Sequence, residues 1–367
     1  MARRIGILTG GGDCPGLNAV IRAAVMTGIE RHGLEFLGVE DAFSGLVDLE
    51  YCSPSGNRWL STKDVDHIIH RGGTILGTSN RNDPFHFVAM SESGKEVETD
   101  VSDRVLENAR KMGLEGVISI GGDGSMRIAQ RFLEKGLPII GVPKTIDNDL
   151  GATDQTFGFD TAVSIAMEAI DRLRDTAESH DRVMLVEVMG RDAGWIALHA
   201  GIASGADAIL LPEIPYRLDP LVEMIRNRAK RGQRYSIIVV SEGAKPHGGE
   251  ASVGEHKLGA MPRLMGAAQR VATSLGGLLK ADLRVTVLGH VQRGGSPSNF
   301  DRILGTRFGH AAAELAAKRA WGQMVALRGD EIVSISIADA IRAPKRVDPK
   351  GQLVSAARAI GTYFGDE

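Results

Sequence analysis

The chain is poor in cysteine, in aromatic rings and in long apolar runs, and each shortage excludes a class of protein. Cys14 and Cys52, the only cysteines, give neither a disulfide framework nor a metal-finger spacing, which points to a reducing cytoplasm. No apolar run approaches the ~20 residues that span a bilayer. The strand-like run Arg4–Leu8 begins so early that no signal peptide is expected before it. Neither sign of charge prevails: Lys+Arg number 43 against 46 Asp+Glu, a net charge of -3. Bulk attraction to nucleic acid is thereby excluded, whereas a local basic pocket for an anionic metabolite is not. Also missing are the GxxxxGK[ST] phosphate loop, the HRD and DFG kinase segments, and a GxGxxG opening the first helix. Any phosphoryl transfer must therefore rest on another architecture.

Apolar residues make up 43% of the 367 residues, enough for real cores and for about two domains. Strand-like runs at Arg4–Leu8, Gly116–Ile120, Pro138–Val142, Val183–Val188, Ala208–Leu211, Tyr235–Ser241 and Val285–Leu288 alternate with helical or loop segments. The clearest helical patterns run from Asn18 to about His32, Ser125 to Lys135 and Asp160 to Glu178. Such alternation predicts an α/β fold of mainly parallel sheets with helices on both faces. A domain boundary is expected near residues 150–160. There is no internal repeat, and His247–Gly254 reads as a short polar loop.

Glycine is abundant, with 46 residues, and it clusters after strands. Gly10-Gly11-Gly12-Asp13 separates the first strand from the first helix, where glycine lets backbone approach a phosphate. A tight turn accounts for that cluster equally well. Gly72-Gly73-Thr74 to Gly77-Thr78 lies near Arg81, either a phosphate partner or a solvated arginine. Gly121-Gly122-Asp123-Gly124-Ser125 is sharper: amides and a hydroxyl to cradle a polyphosphate, with Asp123 placed to reach its Mg²⁺. Sharpest is Pro143-Lys144-Thr145-Ile146-Asp147-Asn148-Asp149, expected at the C-terminal end of a buried strand, where open α/β sheets bind ligands. Its carboxylates can hold Mg²⁺ or accept a hydroxyl proton, and its Lys and Thr suit phosphate oxygens. A polar loop that caps the sheet is the bland alternative.

Together these segments resemble the phosphofructokinase family. LTGGGDCPGLNAVIR (Leu8–Arg22), GGTILGTSN, GGDGS, PKTIDND, TFGFDTA, VEVMGRDAGW and VLGHVQRGGSPSNFDR follow in order as far as Arg302. The resemblance implies two similar three-layer αβα domains with the active site in the cleft between them. Residues 1–155 plus about 292–342 would bind the phosphoryl donor, and about 156–291 plus 343–367 the sugar phosphate. It implies transfer of a phosphoryl group to the C1 hydroxyl of fructose 6-phosphate, a glycolytic reaction, with Mg²⁺ as cofactor. Asp147 would be the general base, ionised at neutral pH if its pKa stays near ~3.9. Thr145 would contact the acceptor and the transferring group, and Arg191 would stabilise charge on that group. Gly12, Arg81, Gly122, Asp123, Gly124 and Ser125 match donor positions. Asp123 and Asp149 match metal positions. Met189, Gly190, Arg182, Glu242, Arg284, His290 and Arg293 match sugar-phosphate positions. Arg182 and Arg284 would come from a neighbouring subunit of a homodimer or homotetramer.

The family uses ATP or pyrophosphate as donor. Pyrophosphate users resemble one another in carrying Asp at the position of Gly124 and Lys at that of Lys144. This chain pairs the ATP-type Gly124 with the pyrophosphate-type Lys144. Sterics favour ATP, because Gly124 leaves room for the α-phosphate; pyrophosphate is the alternative. Asn80 stands where well-known bacterial members carry an arginine, with Arg81 beside it. Arg22 and Arg174 match effector-site arginines, whereas Met26 and Gln233 replace expected basic residues, so weak effector control is expected. A lipid or NAD kinase could share GGDG but not the remaining segments. An NAD oxidoreductase lacks its fingerprint. A non-catalytic sugar-phosphate sensor would dispense with Asp147 or Asp123, and both are present.

Overall fold

Strands buried along nearly their whole length build two sheets whose inner faces meet a shared layer of helices. The computed structural model describes residues 3–50, 56–81, 83–90, 94, 96–253 and 264–366; Cys52 and the Gly254 end of the predicted polar loop lie outside them. Its strands are β1 (Arg3–Thr9), β2 (Leu34–Gly38), β3 (Arg58–Leu60), β4 (Phe87–Met90), β5 (Glu96–Thr99), β6 (Leu114–Gly121), β7 (Ile139–Pro143), β8 (Arg182–Val188), β9 (Ala208–Leu210), β10 (Ser236–Ser241), β11 (Asp282–Val287), β12 (Gln323–Arg328) and β13 (Glu331–Ser336). The larger sheet has the order β13-β12-β7-β6-β1-β2-β3 and the smaller β11-β8-β10-β9. All pairings are parallel except at the edges of the larger sheet, where β3 and β13 run antiparallel to their neighbours. β4 and β5 form a separate hairpin.

Alternate side chains of one strand enter different cores, as the pleat requires. In β6, Ile118 and Ile120 join the central cluster while Val117 faces the outer one. In β8, Met184, Val186 and Val188 face the centre while Val183 and Leu185 face the outer core of the smaller sheet. The inner strands of each sheet are thus dry on both faces, which is why they read as continuous apolar runs.

Two long helices close the central layer. Gly16 (φ 105°) and Gly33 (φ 60°) bound the Leu17–His32 helix, with Arg31 and His32 in its last turn, where cations suit the helix dipole. It packs against the Asn299–Ala317 helix. Gly309 makes that approach possible, since a Cβ there would overlap the Val20 carbonyl. At the start of the second helix, the Asp301 carboxylate accepts from the backbone N–H (2.8 Å) and hydroxyl (2.5 Å) of Thr161. Thr161 opens the Phe159–Ser179 helix, so the two helices that link the sheets are tied at their N-termini.

Candidate active site

β7, β6 and β1 are adjacent in the larger sheet, so their C-terminal ends deliver three loops side by side. The Gly10 N–H donates to the Ile120 carbonyl and the Lys144 N–H to the Gly121 carbonyl, both at 2.9 Å. The segment around Thr78 joins them: the Gly11 N–H donates to Ser79 O (3.1 Å), and the Thr78 hydroxyl donates to Gly11 O (2.6 Å). All four phosphate-loop candidates therefore share one edge of the sheet. The Thr9 hydroxyl joins the same segment by donating to Gly77 O at 2.6 Å, a contact that no sequence pattern marked.

The glycines here have separate reasons. Gly12 lies against Arg293, whose guanidinium occupies the space a Cβ would need and donates to Asp13 O at 3.1 Å. Gly122 precedes the Asp123–Glu134 helix, whose free N-terminal amides suit an anion. A Cβ on Gly124 would meet nothing within 4 Å among the described residues, so a side chain there would project into open space. Ser125 fills the gap between Gly10 and Gly121. Asp123 is held by Arg127 at 2.7 and 3.2 Å, an i,i+4 pair legible in the sequence but not predicted. Arg81 is exposed, and Asn80 approaches Gly11.

PKTIDND leaves β7 as expected and is buried along most of its length. Lys144 is 3% exposed and donates its ammonium to Gly12 O, bracing the glycine loop from behind. Burial pushes its pKa down. The Asp147 N–H donates to Thr145 Oγ1 at 3.0 Å, and Thr145 also hydrogen-bonds the Asp149 carboxylate. Asn148 adopts a left-handed backbone (φ 52°) that places Asp147 and Asp149 on either side of the turn. Its side-chain oxygen accepts from Thr156 N–H (3.1 Å) and Lys345 Nζ (2.9 Å).

Asp147 is 5% exposed, and its Oδ1 has no hydrogen-bond partner among the described residues. Burial first, then the Asp149 and Glu242 charges, push its pKa up to about 7, with Arg293 and Arg191 opposing. The expectation of an ordinary, fully ionised aspartate is therefore corrected: desolvation disfavours the charged form. Asp149 is raised as well, by burial and by nearby Asp123.

The smaller sheet adds the opposing wall from the C-terminal ends of β8 and β10. Arg191 is left-handed (φ 48°), a sparsely populated state for a non-glycine residue. Its N–H donates to Glu242 Oε1 at 3.0 Å, and Glu242 also accepts from the Gly190 N–H. Burial raises the Glu242 pKa while those two donors oppose the rise. Asp147, Asp149, Arg191, Glu242 and Arg293 are thus electrostatic neighbours, with Met189 and Gly190 in the same loop.

Other predicted residues lie elsewhere in the chain. Arg182 and Arg284 flank Asp282, at 2.8 and 2.6 Å, near the N-terminal ends of β8 and β11. That is the sheet edge opposite Arg191 and Glu242. His290 is exposed on the short 3-10 turn Gly289–Arg293. Arg22 binds Asp66, and Arg174 donates to the carbonyls of Ser204 and Gly205. Cys14 is buried with its thiol pKa raised, an inert core group. No helix of the described residues is long and apolar enough to cross a membrane.

Asp123 and Asp149 are the carboxylates expected to hold a divalent cation; Asp123 is engaged by Arg127, and no group of three or more metal-ligating side chains occurs among the described residues. Two carboxylates with substrate oxygens completing the shell is the donor set that suits Mg²⁺. Burial above all, and the nearby Asp123 charge after it, raise the Asp149 pKa, and a bound cation would offset both.

Comparison with known proteins identifies the family. The phosphofructokinase family model matches residues 4–316. ATP-dependent 6-phosphofructokinase 2 of Clostridium perfringens is 50% identical over 99% of this chain and 99% of its own. ATP-dependent 6-phosphofructokinase of Chloroflexus aggregans is 50% identical, covering 100% and 98%. Among solved structures, Pichia pastoris phosphofructokinase in the T-state superposes with a TM-score of 0.77 at 29% identity; the match covers 98% of this chain and 37% of that longer one. A pyrophosphate-dependent phosphofructokinase from Marinobacter aquaeolei shares the fold, with a TM-score of 0.75 at 23% identity, covering 95% and 86%. The chain belongs to the phosphofructokinase family.

Proposed function

We propose that the protein is an ATP-dependent 6-phosphofructokinase, which transfers the γ-phosphoryl of ATP to the C1 hydroxyl of fructose 6-phosphate. The observation that carries this reading is Asp147: a buried carboxylate with an unpartnered oxygen, flanked by two arginines and poised near neutrality. Such a group is costly to keep unless it does chemistry. In the proposal Asp147 accepts the C1 hydroxyl proton as the oxygen attacks phosphorus. Thr145 orients the acceptor, and Arg191 stabilises charge on the transferring group. Glu242, Met189 and Gly190 hold the sugar, with Arg293 and His290 at its phosphate. Arg182 and Arg284 would complete that pocket from a second subunit. The donor would lie along Gly12, Gly122, Asp123, Gly124 and Ser125, with Arg81 at its edge. Asp123 and Asp149 would hold Mg²⁺, which when bound neutralises charge on the donor phosphates.

ATP is favoured as donor by the open space at Gly124 and by the burial of Lys144, whose ammonium is engaged with Gly12. Relatives at 50% identity carry the ATP-dependent name. The test is an assay of purified protein with fructose 6-phosphate, Mg²⁺ and either donor. ATP turnover is expected; strong pyrophosphate turnover with negligible ATP turnover would overturn the choice.

A further inference from the structure

Lys345 lies far from every predicted site residue in the chain, yet it touches both catalytic loops with three different groups. Its ammonium donates to Asn148 Oδ1 (2.9 Å), to Thr153 O (3.2 Å) and to Asp154 O (2.7 Å). Its backbone N–H donates to Asp149 O at 2.7 Å. Its carbonyl accepts from Trp195 Nε1 at 3.1 Å, and its ammonium lies 5.6 Å from the Trp195 ring centroid. Asn148 and Asp149 belong to the loop that carries Asp147. Trp195 opens the Trp195–Ala203 helix, which directly follows the Gly190–Arg191 turn. Two residues on, the Val347 N–H donates to Glu213 Oε1 at 2.9 Å, and Glu213 also accepts from the Gly194 N–H (3.0 Å). Residues 345–347 therefore form a strap across the backs of the two loops.

We propose that Lys345 is a positioning residue: it fixes the left-handed turn at Asn148 and ties it to the Arg191 loop, setting where the base stands relative to the transferring group. The inference rests on the phosphofructokinase reading of Asp147 and Arg191. Three features favour it over simple packing. Lys345 is only partly exposed, and its backbone N–H is also committed, to Asp149 O. Its ammonium donors go to one turn and to the segment bracing it, rather than to solvent. Asn148, whose φ of 52° is unusual for a residue other than glycine, receives its side-chain support from Lys345 and Thr156 alone among the hydrogen bonds of the described residues. Misplacing a reacting group by about 1 Å costs on the order of 100-fold in rate, whereas substrate affinity depends on contacts elsewhere.

The experiment compares the parent with Lys345→Met, Asn148→Ala and the double variant, measuring kcat and both KM values on the full-length protein. Lys345→Met is expected to lose about 10- to 100-fold in kcat while both KM values stay within about threefold of the parent. Asn148→Ala is expected to lose a similar factor, and the double variant no more than the worse single one, because both remove the same contact. Should Lys345→Met fail to fold, the same drop in kcat at unchanged KM in Asn148→Ala carries the proposal. Parent-like kcat in folded single variants overturns it, as do multiplicative losses in the double variant. A parent that turns over with neither donor sinks the functional reading and this inference together; an active parent with an equally active Lys345→Met sinks the inference alone.

Discussion

At the scale of single residues, the decisive quantity is the protonation of Asp147. Its folded pKa of about 7 stands above the unfolded value of 3.8, so the fold favours the neutral acid. The base form needed to accept a proton is then lost as pH falls through about 7. The acid limb of kcat/KM for fructose 6-phosphate is expected there, well above the range of an ordinary aspartate. Asp149 supplies the largest charge contribution to that rise. Asp149→Asn is therefore expected to lower the rate everywhere, since the proposed metal position is lost, but to move the acid limb to lower pH. A pH profile of both proteins checks this; an unmoved limb would show that Asp149 does not set the titration of Asp147. The direction was not legible in the sequence. PKTIDND reveals two carboxylates, but desolvation by the surrounding layers is a property of the fold.

At the scale of elements, the buried strands were legible and the edges were not. β1, β6, β7, β8 and β10 lie within two residues of their expected bounds, because both faces are dry and their apolar runs are unbroken. β11 starts three residues before its expected Val285, since Asp282 and Arg284 alternate with Leu283 and Val285 along an edge strand. β5 is exposed throughout and offers no alternation to read. β2 follows its helix after a single glycine, too short a break to separate two apolar patterns. The Asp123–Glu134 helix begins two residues before its expected start. Asp123 and Gly124, read as loop, form its first turn, and this sharpens the donor argument. At the second helical position Gly124→Asp replaces a poor helix former and adds an acid to the first turn. Its side chain enters open space rather than a packed neighbour. The melting temperature should hold or rise slightly, while ATP turnover is suppressed because the side chain competes for the α-phosphate's room. Unchanged ATP kinetics in the folded variant would count against the steric basis of donor choice.

At the scale of the whole molecule, one chain does not gather all its predicted phosphate ligands. Arg182 and Arg284 sit at the opposite edge of the smaller sheet from Glu242 and Arg191, each paired with Asp282. β11, which carries Arg284, is an edge strand of that sheet. Val287 on the strand and Val291 just beyond it are more than half exposed. This is the arrangement expected if the arginines serve a neighbour's site rather than their own. The consequence is complementation. On that proposal Asp147→Asn and Arg182→Ala should each be nearly inactive when assembled alone, one lacking the proposed base and the other the cation offered to a neighbour. In a mixed dimer, one site combines both defects and is silent, while the other combines native Asp147 with native Arg182. Random reassortment of equal amounts should therefore restore about a quarter of parental activity, since half the dimers are mixed and each holds one intact site. Dissociating and reassembling the two variants together, beside each alone, measures this. Recovery absent from mixtures shown to contain mixed oligomers would place Arg182 outside the neighbour's site, and its pairing with Asp282 would then be a structural ion pair and no more.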